Sequence, residues 1–206
     1  MHHLPIRRVL GLVLLALFSA TAAWTAETPS NLAGIELGGV AAHMKRRIRT
    51  HKPRAVDGAP WLVRLPVTPD AFFSGGYVLV GKCAAPGRII RIKMHYRDGS
   101  MEFFRKISGE MLARYGDPTE YKGGIDGRSM GNKWSFNDPW ARPLSLILQR
   151  TEGEDPETGT GNTIKFTNWG MLEAERACWQ ERHPKAGSPA GSGAKNRTND
   201  AGYLPR

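Results

Sequence analysis

Two cysteines and four histidines are the first residues beyond position 22 to weigh for chemistry. Cys83 and Cys178 are the only thiols, with 94 residues between them. A redox pair takes C-x-x-C spacing, and a zinc site needs further ligands close in sequence. Neither is present, so the pair reads as one structural disulfide. Closing a loop of that length stabilises by about 4–5 kcal/mol in chain-entropy terms, before strain is subtracted.

His43, His51, His95 and His183 form no H-x-x-x-H or H-E-x-x-H pattern, which argues against a local metal site. Gly127-Arg128-Ser129-Met130-Gly131 matches the letters of a G-x-S-x-G pattern, but it lies inside a glycine-rich stretch and not between a predicted strand and a predicted helix, as a nucleophile elbow requires. The glycines at 123, 124, 127 and 131 lack the Gly-Lys-Ser/Thr ending that cradles phosphate, so they read as a connector. Glu152, Glu154, Asp155 and Glu157 offer oxygens to calcium, but the spacing is not that of an EF-hand and Pro156 interrupts it. A solvated hairpin tip fits better. Asn196-Arg197-Thr198 matches a glycosylation sequon in a chain of bacterial style. No cofactor is implied. An enzyme would need a site assembled by the fold from scattered residues such as Asp126, Asp138 and His95.

The densest functional signal is charge. Lys45, Arg46, Arg47, Arg49, Lys52 and Arg54 place six cations in ten residues. Such a run is either a solvated face or a surface whose self-repulsion an anionic counterpart relieves. Arg91, Lys93, His95 and Arg97 alternate with apolar residues and would extend the field if they lie on the same side. Nucleic acid is disfavoured, because no aromatics interleave with the basic run.

The compartment sets the class of partner. Arg7 and Arg8 precede an apolar run from Val9 to Phe18, and Ala20-Thr21-Ala22 supplies small residues for a signal peptidase. Ten apolar residues fall well short of the roughly 20 that span a bilayer. Residues 1–22 therefore read as a cleavable leader, cut after Ala22, Ala23 or Ala26. The chain beyond residue 22 keeps 27 basic and 19 acidic residues, a net charge of +8. A periplasmic or secreted bacterial location follows, and with it an oxidising setting for the cysteines.

Elements must hold these residues in place. The sequence predicts a first helix from Val40 to Arg49, with Val40, Met44 and Ile48 as a thin stripe ended by Pro53. Six strands are expected: 61–67, 77–83, 88–97, 133–136, 144–150 and 163–169. A helix from Met101 to Tyr115 is capped by Ser100 and stopped by Gly116 and Pro118. A last helix runs from about Gly170 to Arg182. Residues 31–183 form a single domain, and 184–206 are too poor in large apolar residues to order. The fold class is α+β: an antiparallel sheet of about six strands with helices on one face, arranged as two pseudo-repeats of a helix and three strands.

Gly34-Ile35-x-Leu37-Gly38 and Leu112-x-x-Tyr115-Gly116-x-Pro118 resemble stretches of small bacterial periplasmic domains of the outer-membrane-assembly lipoprotein and β-lactamase-inhibitory-protein type. The resemblance implies helices packed on an antiparallel sheet and protein binding without chemistry. Lys45-Arg46-Arg47 and the missing lipid-anchor cysteine depart from that pattern, so no functional residue is carried over. The sequence thus points to a non-enzymatic envelope module for an anionic or protein partner. The alternative is an envelope hydrolase.

Overall fold

A computed structural model describes residues 28–123, 128–153 and 160–184. The expected leader, the tail beyond 184, and Asp126, Glu154, Asp155 and Glu157 lie outside the described residues. Two short strands, β1 (Asn31–Leu32) and β2 (Ile35–Glu36), form a small hairpin. The main sheet has eight antiparallel strands rather than six. They are β3 (Arg54–Ala55), β4 (Leu62–Val67), β5 (Phe73–Gly81), β6 (Ile89–Tyr96), β7 (Glu120–Gly123), β8 (Ser129–Asn137), β9 (Pro143–Thr151) and β10 (Gly161–Asn168). Their order is β3-β4-β5-β6-β10-β9-β8-β7. Two four-strand meanders therefore meet at the β6–β10 ladder. The additional strands are the two sheet edges, whose polar sequences carry little strand periodicity.

Helix α1 (Met101–Tyr115) has the expected bounds. The Ser100 hydroxyl accepts from the N–H of Phe103, and Gly116 closes the helix at φ 74°. Phe104 is buried, while Ile107, Met111 and Tyr115 pack against the core that also holds Val78, Ile92 and Phe166. Leu112, next to Met111 and of helical spacing with Tyr115, is exposed.

Helix α2 (Trp169–Arg182) starts at Asn168, whose side chain accepts from the N–H of Met171. Met171 joins Leu62, Leu79 and Ile90 in a second apolar cluster. Leu79 alternates with Val78 along β5, so this cluster lies on the opposite sheet face. The two helices thus cover opposite faces, not one. No helix among the described residues is long and apolar enough to cross a membrane.

The expected first helix is only one 3-10 turn, Ala41–Met44. Lys45 and Arg49 are like charges at i,i+4, which oppose an α-helix. Ile48 instead bridges to Val67 and is fully buried. The pseudo-repeat is not borne out: its first half lacks a helix, and the two helices take different faces.

Cys83 and Cys178 are disulfide-bonded, with Sγ atoms 2.04 Å and α-carbons 5.8 Å apart. One turn earlier on α2, Glu175 reaches the same β5–β6 turn. Its Oε2 accepts from the N–H of Lys82 at 3.0 Å and of Cys83 at 2.6 Å, and its Oε1 from the N–H of Ala85 at 2.5 Å. The residue is 0% exposed. A buried carboxylate is tolerated because three amides replace its hydration. Gly81 makes room for it: a Cβ there would stand 2.3 Å from Oε1.

Candidate functional site

The cationic segment runs along the β4 edge of the sheet. The N–H of Arg49 donates to Pro66 O, and the N–H of Thr68 to Arg47 O. Lys45, Arg46, Arg49, Lys52 and Arg54 are exposed. Arg47 is not free: it meets Asp70 at 2.7 Å and donates to Ala33 O at 3.0 Å. Asp70 also accepts from the N–H groups of Phe72 and Phe73. The N–H of Phe73 above all, then the Arg47 guanidinium and the N–H of Phe72, outweigh burial and hold the Asp70 carboxyl below its usual range. Arg97 reaches the same corner, donating through Nε to Asp70 O at 2.7 Å. Arg47 and Arg97 therefore brace a turn.

The other cations are arranged by strand register. Partners across an antiparallel ladder share a face. Arg54 faces Arg64, Arg64 faces Leu79, and Leu79 faces Arg91, which places three arginines on one row. The next row on that face runs Tyr77, Lys93, Lys165, Ile147, Lys133 and Glu120. The ladder expected to face water or a partner is largely covered. Lys93 is 3% exposed, and Arg91 and His95 are half-buried. Aromatics accompany the cations: the Arg64 guanidinium lies 4.2 Å from the Tyr77 ring centroid and that of Arg91 5.7 Å from Trp169. Burial first, then the charge of Lys93, lowers the pKa of His95.

Of the residues considered for hydrolysis, the two that are described, Asp138 and His95, do not come together. Asn168 touches Asp138 at 3.4 Å, whereas His95 pairs with Thr163. Five residues of β10 separate those partners, about 16 Å at 3.3 Å per residue. Among the described residues no three His, Cys, Asp or Glu side chains converge as metal ligands.

Asp138 instead organises the loop between β8 and β9. Its Oδ1 accepts from the N–H of Trp140 and of Arg142, and its Oδ2 from Arg142 Nε at 2.6 Å. Burial alone would raise this carboxyl, but the Arg142 N–H, its guanidinium and the Trp140 N–H more than offset that and leave it lowered. Ala141 is held at φ 58°, a left-handed conformation that costs a non-glycine residue about 1–2 kcal/mol. The result is an outward-pointing Trp140, 75% exposed. It borders a cleft of about 890 Å³ lined also by Glu36, Arg88, Arg142, Asn168 and Met171.

Arg64, Lys165 and Trp140 escaped the sequence reading. The alternation of Trp61, Val63 and Leu65 turns Arg64 to the opposite face, so its side was legible, but its place in a row needed the register. Trp140 lies between strands and carried no periodic signal. No protein-family model matches the chain, and neither a curated protein nor a solved structure is found similar to it.

Proposed function

We propose that the protein is an exported, non-enzymatic binding module that engages an anionic component of the bacterial cell envelope through the cationic segment and the sheet edge beside it. One observation carries this reading: the segment runs beside β4, where the N–H of Arg49 bonds to Pro66 O and Arg54 pairs with Arg64, so the exposed cations of the run lie along a strand that adds an exposed arginine of its own. Concentrated like charge destabilises itself and steers anions toward it. The leader pattern and the disulfide support an oxidising compartment outside the cytoplasm. The separation of Asp138 from His95 speaks against the hydrolase alternative. A second reading has its own support: β3 is a two-residue edge strand, and cations at an edge block pairing with other chains.

Co-sedimentation with anionic and zwitterionic vesicles separates the two. The proposal expects binding to anionic vesicles that is lost between about 0.1 and 1 M salt, as the Debye length falls from about 10 to 3 Å. Reversing Lys45, Arg46 and Arg49 to glutamate should abolish it without shifting the melting temperature, because exposed charges contribute little to stability. If wild type and the reversed variant behave alike on anionic vesicles and on a purified anionic envelope polymer, the segment only guards the edge.

A further inference from the structure

We infer that the cleft beside Trp140 is a saccharide-binding site, separate from the cationic segment and not dependent on it. Exposed tryptophan forfeits the burial that normally stabilises so large a ring. Here the exposure is built in. Asp138, with a side chain only 8% exposed, ties down both Trp140 and Arg142, and Ala141 takes up backbone strain to turn the ring outward. Strain of this kind is retained where the surrounding structure imposes it, and it concentrates at ligand clamps.

The cleft walls select the chemistry. The Arg142 guanidinium sits 4.9 Å from the Trp140 centroid, its Nε spoken for by Asp138. Arg88, also in the lining, donates through Nη1 to Gly38 O at 3.0 Å, which fixes its position. Glu36 lines the same cleft; its carbonyl accepts from the N–H of Gly39, while its side chain makes no hydrogen bond or ion pair with the described residues. Two cations disfavour a cationic ligand, and the Glu36 carboxylate disfavours an anionic one. What remains is an uncharged ring with one apolar face for Trp140 and hydroxyl or amide groups that donate to Glu36 and accept from the arginines. A sugar ring has that character. The volume, about 890 Å³, is at the upper end of small-ligand sites and admits a short oligosaccharide.

Calorimetric titration of the purified full chain tests this with three probes: an N-acetylglucosamine tetramer, a β-glucan tetramer and a ten-residue proline peptide. The expected result is binding of at least one oligosaccharide, with a Kd of about 0.1–1 mM that salt leaves unchanged. Trp140→Ala should weaken it by about tenfold or more, the loss of one aromatic platform, with an unchanged melting temperature. Trp140→Phe should retain most of the affinity, and Glu36→Gln should weaken it several-fold. Reversing Lys45, Arg46 and Arg49 should leave it intact, which keeps this site distinct from the anionic surface. Absence of Trp140-dependent binding to either sugar overturns the assignment. So does a Trp140-dependent preference for the proline peptide, which would make the cleft a peptide site.

Discussion

Replacing Glu175 by glutamine tests whether one buried carboxylate fastens α2 to the sheet. Glutamine keeps the shape but removes the charge and replaces one acceptor oxygen by a donor NH2. With its oxygen at the position of Oε2, it can still accept from the N–H groups of Lys82 and Cys83. Both bonds then fall from charge-assisted to neutral strength, a loss of about 1 kcal/mol each. The side-chain NH2 meets the N–H of Ala85, donor against donor, which loses the third bond and strands an amide, about 1–3 kcal/mol more. The total is about 3–5 kcal/mol, because the disulfide three residues along α2 keeps the turn from swinging into water. In a domain of this size that corresponds to a fall in melting temperature of roughly 10 °C. Urea unfolding under non-reducing conditions, followed by circular dichroism, measures it directly. A change below about 0.5 kcal/mol, with the m-value unchanged, would refute the view that the three amides depend on this carboxylate.

Two further outcomes follow from the same geometry. Cys83→Ser should destabilise by up to about 4–5 kcal/mol, the entropy of a 94-residue loop. Combined with Glu175→Gln in a double-mutant cycle, it should cost less than the sum, because both residues pin the same turn to α2; strict additivity would contradict that coupling. His95, with its pKa lowered by burial and by Lys93, binds its proton more readily in the unfolded chain. Stability should therefore fall as pH drops below about 6.5 toward the lower folded value. His95→Gln should flatten that slope in denaturation curves between about pH 5 and 7; an unchanged slope would show that another group is responsible.

What the sequence disclosed depended on whether a residue's role was periodic. The stripe of Phe104, Ile107, Met111 and Tyr115 and the punctuation by Ser100 and Gly116 define α1, because local propensity and tertiary packing agree there. Ile92 and Met94 on one side of β6 were equally legible. The segment after Val40 misled because Val40, Met44 and Ile48 have helical spacing, yet Ile48 is held by a bridge to Val67 from a distant strand. Tertiary pairing overrode a weak local preference. On α2 the apolar Ala174 is exposed, while its neighbour Glu175 is buried. Nothing local marks a glutamate for burial; its amides come from residues 82–85, nearly a hundred positions away. The candidate sites divide in the same way. The cationic run was visible as composition, but its pairing with Arg64 needed strand register, and the Trp140 cleft needed a loop geometry without a sequence period.

The strand order also governs the sequence of events in folding. The central ladder joins β6, complete at Tyr96, to β10, which ends at Asn168. A chain emerging from its N-terminus therefore carries the apolar edge of β6 unpaired until the last strand arrives, and Cys83 without its partner for longer still. Long-range closure of this kind folds slowly and exposes strand edges while it waits. Passage across a membrane as an extended chain suits such a topology, since the sheet cannot close early on either side. A chain cut short before β10 would leave two meanders with no shared seam and one reactive thiol, a form suited to aggregation and to clearance by proteases.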